Sequence, residues 1–401
     1  MSKSSGLLPI LFLVVFTITK KVNSQLGVVY SPFVQPGDTP SSTSSYTEQD
    51  VRTMLSLLVE DNFPFVTTFG MGAPNEHYQE NSTRYRCTSV VHTAIAAANI
   101  NKEKNNLALT VFQGIYKGSP SSRLNSEIEV GFEIAQAANL IYEGTVPALV
   151  FPTSAGLFGL FDMLEKFESI SVRARNSKLK IGVRLWNCHH TITGVDKNDK
   201  NIQDLIKLFD FIICQVIPVE SDYLQGVVPF FEKITKEFVE VENAVKEMGI
   251  NATKIVLESG WASVPNENNL NNGTIQLKTF WEKMGQWANS EKKIVFMTEA
   301  FDNPWKEGNK ELFSAAHYGL WKHVQGDSNS KSAYVRKVSE IQNGNYRKPK
   351  PKPVTPAITE RSNKGKQTKP QKNTAVGNGF VGGIKIQFLN AIVLFIAYKF
   401  N

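Results

Sequence analysis

The strongest candidate for chemistry in this sequence is Glu258, which lies in the stretch KIVLESGWAS at residues 254–263. A short apolar run leads into this glutamate, and a small residue, a glycine and Trp261 follow it. A carboxylate at the end of a buried strand can attack or stabilise an anomeric carbon, and an indole offers a flat face to a pyranose ring. The alternative interpretation is a strand end whose glutamate caps a helix or pairs with a lysine.

Short apolar runs alternate with amphipathic segments eight times over about residues 26–337. Most runs are continuously apolar, as expected of strands that are covered on both faces. The predicted strands are 26–33, 63–70, 107–116, 138–144, 179–186, 209–218, 254–261 and 294–301. The predicted helices are 47–60, 87–101, 125–138, 157–175, 201–208, 221–248, 276–287 and 310–323. This order predicts an α/β fold, a single-domain TIM (β/α)8 barrel. An open doubly wound sheet is the alternative, but no glycine-rich phosphate loop follows the first strand.

Active sites of such barrels lie at the C-terminal ends of the strands. The predicted strand ends carry aromatic rings, carboxylates and amides, which together predict a rim that binds sugar rings and their hydroxyl groups. The candidate binding residues are Tyr30, Tyr116, Trp186, Asn187, Trp261, Glu299, Phe301, Asp302 and Lys306.

Several motifs in this order resemble glycoside hydrolase family 17, especially its fungal cell-wall β-1,3-glucanases and glucanosyltransferases. They read GVVYSPF, LWN, DFIICQVIP, ESGWAS, EAFDNPWK and HYGLW, and the resemblance covers most of residues 26–323. It implies a retaining mechanism on β-1,3-linked glucan, by hydrolysis or by transfer. It also implies that Glu258, at the end of the seventh strand, is the nucleophile.

The sequence departs from the family pattern at three places. The resemblance implies a general acid in a Gly-Asn-Glu turn after the fourth strand, but the predicted turn reads GTV, with Val146 at the acid's position. Glu143 stands three residues earlier and is a displaced acid/base candidate, provided that the strand slips or bulges. A carboxylate expected after the eighth strand corresponds to Asn303, and an arginine expected on the second strand corresponds to Thr68.

These departures leave three hypotheses of function open. Retaining hydrolysis needs one carboxylate to attack and another, about 5 Å away, to protonate the leaving oxygen. General acid–base assistance contributes roughly 10²–10⁴-fold, and a valine cannot supply it. The first hypothesis is a β-1,3-glucan hydrolase or transglycosylase that uses Glu258 and Glu143. The second is a glycan-binding pseudoenzyme with the same cleft, and a third makes the barrel an adhesive or spacer domain.

Both chain ends have the composition of processing signals. Residues 1–25 have a basic start and a short apolar core, which predicts a secretory signal peptide; an N-terminal anchor helix is the alternative. Residues 374–401 have small residues, a glycine-rich spacer and an apolar tail, which predicts a signal for a GPI anchor; a plain transmembrane tail is the alternative. A Pro/Lys-rich linker at 343–373 separates this tail from the barrel domain at 26–342.

The excess of basic over acidic residues is concentrated in the linker. Between Arg347 and Lys372 there are nine lysines and arginines and one acid, Glu360, a difference of +8, whereas the whole chain carries +7. The rest of the chain is therefore close to neutral, and the charge does not indicate nucleic-acid binding. We expect an extended, solvated stalk that rests on acidic surface polymers or lipid headgroups.

Secretion also fits the three glycosylation sequons, which begin at Asn81, Asn251 and Asn272. They predict a glycoprotein of the secretory pathway that reaches the cell surface or the extracellular space.

The three cysteines, Cys87, Cys188 and Cys214, allow at most one internal disulfide. Cys214 lies in an apolar run, so we expect it to be the buried free thiol. No metal-ligand spacing is present, and we expect no metal or cofactor.

Overall fold

The computed structural model describes residues 25–35, 46–70, 89–115, 121–153, 164–265, 273–308, 313–324 and 330–338. All of them belong to the first of two units into which the chain divides, Met1–Lys348, and the second is Pro349–Asn401. The predicted linker and C-terminal tail, and the predicted signal peptide up to residue 24, lie outside the described residues. Within the described part, no helix has both the length and the apolar character that a membrane span requires.

Eight parallel strands form a closed barrel in sequence order, with the last strand beside the first. They are β1 (Leu26–Val29), β2 (Phe65–Thr67), β3 (Thr110–Gly114), β4 (Ala148–Thr153), β5 (Lys180–Trp186), β6 (Phe211–Val216), β7 (Lys254–Gly260) and β8 (Val295–Thr298). Leu26 pairs with Val295 and Val28 pairs with Met297 to close the barrel. The predicted TIM (β/α)8 barrel is confirmed.

Helices connect the strands and cover the outside of the barrel. They are α1 (Glu48–Glu60), α2 (Ser89–Lys104), α3 (Ser121–Ile141), α4 (Leu164–Asn176), α5 (Cys188–Thr193), α6 (Lys200–Lys207), α7 (Glu220–Gln225), α8 (Val227–Glu247) and α9 (Gly273–Glu291). The long helix predicted over 221–248 is interrupted at Gly226, whose φ of 93° is left-handed and favours glycine. After β8 come a 3₁₀ turn at Pro304–Lys306, another at Ser314–His317, and a hairpin of β9 (Trp321–His323) and β10 (Tyr334–Arg336).

The start of α1 illustrates how the sequence specifies an element. The Thr47 hydroxyl accepts a hydrogen bond from the Asp50 amide, and the Asp50 carboxylate accepts one from the Thr47 amide. This capping box satisfies two backbone donors that the first helical turn leaves free. Apolar residues at helical spacing are then buried against the barrel: Val51, Met54, Leu55 and Leu58.

Aromatic side chains fill the barrel interior toward the N-terminal ends of the strands. Four rings from β2, β3, β6 and β8 meet edge to face, with centroid separations from 5.3 to 6.0 Å: Phe65, Phe112, Phe211 and Phe296. Gly27 and Gly182 make room for them, because a Cβ on either glycine would lie 2.0 or 2.1 Å from a ring carbon. This apolar layer fills the N-terminal end of the barrel. A site made of polar side chains inside the barrel is therefore expected at the C-terminal ends of the strands.

The fourth strand was predicted in the wrong place. Residues 138–144, predicted as strand, contain the last turn of α3 and a turn that includes Gly144, whose φ is 81°. The strand itself is Ala148–Thr153, which contains Pro152. A proline argues against a strand in a sequence, since it cannot donate to a ladder.

The predicted eighth helix, over 310–323, is also wrong for the residues that the structure describes there. Ser314–His317 form a 3₁₀ turn, and Trp321–His323 form β9. At Gly319 between them, a Cβ would lie 2.0 Å from the backbone nitrogen of Asp302. This close approach to the turn after β8 favours an irregular connection over a continuous helix.

Candidate active site

Glu258 lies inside the barrel, directly above the aromatic layer. Its neighbour two residues earlier on β7, Val256, belongs to the interior cluster, and alternation along a strand gives Glu258 the same inward direction. The side chain is fully buried. Its Oε2 accepts a hydrogen bond from Nε of Arg184 at 2.8 Å, and its Oε1 accepts one from Nε2 of Gln215 at 2.6 Å. Both partners are donors, which suits the acceptor-only carboxylate.

Arg184 reaches across the interior of the barrel from β5 to β2. While its Nε bonds Glu258, its Nη2 donates to the Thr67 hydroxyl at 2.9 Å and its Nη1 donates to the Thr68 carbonyl at 3.1 Å. The side chain is only 3% exposed. All three nitrogens of the guanidinium are thus bonded to protein, and its planar shape fixes the direction from which Glu258 is held.

This arrangement accounts for the missing arginine on the second strand. The resemblance places that arginine at Thr68, but the Thr68 hydroxyl accepts a hydrogen bond from the Gly114 amide at 2.9 Å. The inward hydroxyl is that of Thr67, and it accepts its bond from Arg184. A guanidinium therefore contacts both β2 and Glu258, although it is supplied by β5.

The structure separates Glu143 from Glu258. Glu143 is exposed in the turn that follows α3 and precedes β4, so it lies at the N-terminal end of the barrel. Glu258 lies near the C-terminal end of β7. The prediction that Glu143 is a displaced acid/base is wrong, and Val146, which also precedes β4, does not occupy the acid's position. Strand β4 and its exit at Thr153 contain no carboxylate.

Glu299 and Lys306 form a second, smaller charged pair beyond β8. The Glu299 side chain is 1% exposed, and its Oε2 lies 3.1 Å from the Lys306 ammonium. Burial raises the pKa of Glu299, while Lys306 and a hydrogen bond from Asn303 act in the lowering direction. Its Oε1 has no hydrogen-bond partner among the described residues. Both predicted residues lie near the C-terminal end of the barrel, but they bond each other.

Asp302 is bonded to the protein through one of its two carboxylate oxygens. Its Oδ1 accepts hydrogen bonds from the Lys337 ammonium at 2.6 Å and from the Gly319 amide at 2.9 Å. Burial raises the pKa of Asp302, and Lys337 opposes that effect. The structure thus gives Asp302 a structural role, and its contact with a substrate remains a prediction.

Three of the predicted aromatic platforms are wrong because their rings are buried on the outer side of the strands. Trp261 is fully buried and packs against Tyr223 at 4.7 Å between centroids and against Phe230 at 5.7 Å. Tyr30 is 1% exposed and Phe301 is fully buried, and their centroids lie 6.2 Å apart. These rings stabilise the contact between the strands and the helices, as aromatic core residues do.

Trp186 and Asn187 keep their predicted place at the end of β5. The Trp186 side chain is 53% exposed, and Asn187 is exposed in a left-handed conformation with φ of 50°. Their contact with a sugar remains a prediction. Tyr116, the remaining candidate of this kind, lies outside the described residues.

Sequence reasoning missed the polar partners of Glu258. Arg184 and Gln215 each interrupt a predicted apolar strand two residues after an inward position, Gly182 or Ile213. That signal was available, because a polar residue inside a buried strand requires a partner. The sequence does not identify that partner, because the partner lies on a different strand.

Cys188 and Cys214 form a disulfide, so the prediction that Cys214 is a free thiol is wrong. The bond joins the chain just beyond β5 to β6. Two residues that are distant in sequence were brought together by adjacent strands, which spacing alone could not show. Cys87 lies outside the described residues.

One of the three sequons lies in the described part of the chain. Asn251 is exposed in the turn between α8 and β7, where a glycan would not meet the barrel interior. Asn81 and Asn272 lie outside the described residues, and glycosylation remains a prediction at all three.

Solved structures of glucan-active enzymes resemble this barrel. An endo-laminarinase from Formosa Hel1_33_131 has a TM-score of 0.56 at 16% sequence identity, covering 76% of this chain and 86% of that chain. This chain has the same fold. The barrel fold that the family resemblance implies is thus confirmed.

Two further structures come from Rhizomucor miehei. A glycoside hydrolase family 17 β-1,3-glucanosyltransferase has a TM-score of 0.48 at 13% identity, covering 73% of this chain and 91% of that chain. Its active-site mutant in complex with laminaritriose has a TM-score of 0.49 at 12% identity, covering 77% and 96%. No protein-family model and no curated protein sequence matches the chain.

Proposed function

We propose that this protein is a glycosidase-like enzyme that acts on a β-1,3-glucan by a retaining mechanism, with Glu258 as the nucleophile. The observation that carries the proposal is the buried Glu258 carboxylate, held near the C-terminal end of β7 by Arg184 and Gln215. The motif resemblance and the fold shared with an endo-laminarinase support a glucan as the substrate.

In this mechanism, a Glu258 oxygen attacks the anomeric carbon and forms a glycosyl ester as the bond to the leaving oxygen breaks. The leaving oxygen takes up a proton. A water then hydrolyses the ester, or the hydroxyl group of an acceptor sugar takes the glycosyl group in transfer. Arg184 and Gln215 hold the carboxylate in one orientation, which lowers the entropic cost of reaching the transition state.

A glycan-binding pseudoenzyme is the second candidate, and one observation favours it. Within the described residues, β4 and its exit at Thr153 offer no carboxylate to protonate the leaving oxygen. Beyond Thr153 the sequence reads SAGLFGLFDM, in which the first acid is Asp162. Without a proton donor, hydrolysis of an unactivated glucan would be slower by roughly 10²–10⁴-fold.

A substrate with an activated leaving group separates these two candidates. 2,4-Dinitrophenyl β-glucoside needs no proton to leave, so turnover depends on the nucleophile alone, whereas laminarihexaose needs both carboxylates. We expect Glu258→Gln to lower turnover of the activated substrate by roughly 10³-fold or more, since the attacking group is lost. The matched control is Glu143→Gln, which changes an exposed glutamate at the other end of the barrel and should leave turnover unchanged.

Covalent trapping identifies the nucleophile directly. A 2-deoxy-2-fluoroglucoside should add one sugar to the peptide that contains Glu258, as read by mass spectrometry, while circular dichroism confirms that Glu258→Gln is folded. Full activity of this variant would refute the proposed nucleophile. Binding of laminarihexaose without turnover of either substrate would identify the pseudoenzyme.

We also propose that the protein is secreted and held at the cell surface by a GPI anchor, with the basic linker as its stalk. The support is the order of signal peptide, sequons, basic linker and small-residue, spacer and apolar tail in the sequence. Such an anchor would make the protein releasable by a phosphatidylinositol-specific phospholipase.

A further inference from the structure

The connections that lead into β5, β7 and β8 carry an excess of positive charge. These connections, at residues 175–180, 246–254 and 290–294, contain seven lysines and arginines and two acids, a difference of +5. They lie at the N-terminal end of the barrel, whereas Glu258 lies near the C-terminal end of β7. The charged surface is therefore separate from the candidate active site.

Five lysines of these connections form one exposed surface, here called the lysine face: Lys178, Lys180, Lys246, Lys254 and Lys292. Within the described residues, no ion pair or hydrogen bond uses any of the five ammonium groups. The charges beside them are already paired, since Lys293 bonds Glu242 at 2.7 Å and Glu247 bonds Lys197. The positive charge of the lysine face is thus left for solvent or for a partner.

The strand register places members of the lysine face within reach of one ligand. Lys254 pairs with Phe211 on β6, and Phe211 pairs with Gly182 on β5, two residues beyond Lys180. With the usual strand spacing and rise, the Cα atoms of Lys180 and Lys254 are about 12 Å apart. A linear polymer with repeated negative charges can therefore meet both lysines at once.

Two members of the lysine face occupy backbone positions that disfavour lysine. Lys178 has a φ of 57° and Lys292 a φ of 56°, both left-handed, where the chain leaves a helix. The left-handed positions before β2, β3, β4 and β7 are held by residue types that adopt this conformation readily: Asn62, Asn105, Gly144 and Gly249. Lysine is less stable in this conformation than glycine or asparagine, so backbone stability does not explain the two lysines.

The helix dipole explains only part of the lysine face. It favours cations near helix C-termini, but Lys180 and Lys254 are the first residues of strands. The connections into β2, β3 and β4 also follow helix ends, yet they contain two lysines and four acids: residues 60–64, 102–109 and 141–147. The same dipole thus precedes a basic surface on one side of the barrel and an acidic one on the other.

We propose that the lysine face binds an acidic polysaccharide, a linear glycan that carries carboxylate or sulfate groups. The three basic connections contain no aromatic residue on which a nucleic-acid base could stack. Their exposed large apolar side chain is Ile294, at 37%, which is too little for a surface that inserts into a membrane. This binding site goes beyond the proposed glucan reaction and does not depend on it.

The test titrates the full chain with a heparin oligosaccharide and with polygalacturonate, and with dextran as the uncharged probe. Every protein carries Asn251→Gln, because a glycan at this predicted site would stand beside Lys254. We expect Lys180→Glu, Lys254→Glu to weaken binding of the acidic glycans about tenfold or more and to lower its salt dependence. The linker is unchanged in every variant, so its contribution cancels.

The matched control is Lys200→Glu, Lys236→Glu, which makes the same change of charge away from the lysine face. Lys200 begins α6, and Lys236 is 78% exposed midway along α8. We expect the affinity of this variant to change less than about twofold. Equal weakening in the two double variants, or no weakening in either, would overturn the proposal.

Lys178→Gly, Lys292→Gly separates binding from folding. Glycine relieves the left-handed backbone, so we expect the melting temperature to rise while binding of the acidic glycans weakens roughly fivefold. A purely structural role for these lysines would give the opposite result, a lower melting temperature with unchanged binding. Binding of phosphatidylserine–phosphatidylcholine vesicles that depends on the lysine face, without binding of either acidic glycan, would refute the polysaccharide and assign a membrane partner.

Discussion

At the scale of residues, Arg184 and Glu258 are the pair on which the site depends. Both side chains are at least 97% buried, and every nitrogen of the guanidinium has a protein partner. Removing two charges from water costs several kcal/mol per ion, and the short ion pair with its extra hydrogen bonds offsets that cost. A pair of this kind contributes little net stability, but losing one member leaves a buried charge without compensation.

This reasoning predicts a large effect of Arg184→Met. We expect the free energy of unfolding to fall by about 3–5 kcal/mol, since Glu258 would be left buried without its cation. Urea denaturation at neutral pH measures the change. The double variant Arg184→Met, Glu258→Gln should recover most of the loss, because it removes both charges.

An exposed ion pair supplies the control. Arg52 pairs with Glu103, and their side chains are 32% and 56% exposed. Arg52→Met should therefore cost about 1 kcal/mol or less. A similar small cost for Arg184→Met would contradict the assignment of a buried, interdependent pair.

At the scale of elements, the β9–β10 hairpin and the residue after it attach the end of the described chain to the barrel. Lys337 donates to Asp302 at 2.6 Å, to the Ser263 hydroxyl at 2.8 Å and to the His317 carbonyl at 3.0 Å. Its side chain is 9% exposed, and burial lowers its pKa while Asp302 opposes that effect. One ammonium group thus joins the turns that follow β7 and β8.

The hairpin also contacts the end of α1, and this contact should depend on pH. Arg336 lies 3.3 Å from Asp61, and burial raises the pKa of Asp61 to about 6 although Arg336 acts in the lowering direction. A folded-state pKa above the unfolded value means that the folded protein binds the proton more tightly. The contribution of Asp61 to stability is therefore largest in acid and is lost as pH rises from about 4 to about 6.

Asp61→Asn measures this contribution, because the amide cannot ionise. We expect the free energy of unfolding of the variant, minus that of the wild type, to increase as pH rises from 4 to 6.5. Leu140→Ala removes no ionising group, so its difference from the wild type should not follow pH. If the unfolding free energy of Asp61→Asn minus that of the wild type stays constant or decreases with pH, the folded-state pKa of Asp61 is not raised.

At the scale of the whole molecule, the barrel and the chain beyond it have different physical character. The linker carries a charge of about +8 between Arg347 and Lys372, while the rest of the chain is near neutral. This charge distribution agrees with the proposed role of the linker as a stalk beside acidic polymers or headgroups.

The proposed anchor predicts release of the protein from intact cells by phosphatidylinositol-specific phospholipase C. The released form should lack the apolar tail of residues 374–401, as mass spectrometry of its C-terminal peptide would show. The control is a variant whose tail is replaced by a transmembrane helix, which the enzyme should not release. Retention of the unaltered protein with an intact C-terminal peptide would exclude a GPI anchor.

The sequence alone determined the class of fold and the position of Glu258. Seven of the eight strands overlap their predicted ranges, since buried parallel strands are continuous apolar runs that local composition reveals. The fourth strand is the exception, because β4 contains Pro152, which is unfavourable within a strand. The error at this strand placed Glu143 and Val146 at the wrong end of the barrel. An aromatic residue near a strand end was equally ambiguous, because the direction of its side chain depends on the register of that strand.

Only the tertiary structure decided which side chains meet. Trp261 and Trp186 both stand at strand ends, yet one is sealed between helices and the other is open at the mouth. Arg184 pairs with Glu258 across 74 residues, and Cys188 bonds Cys214 across 26. The physical reason is that hydrophobic patterning acts locally and sets the elements, whereas ion pairs, disulfides and the inward or outward direction of a ring depend on barrel closure.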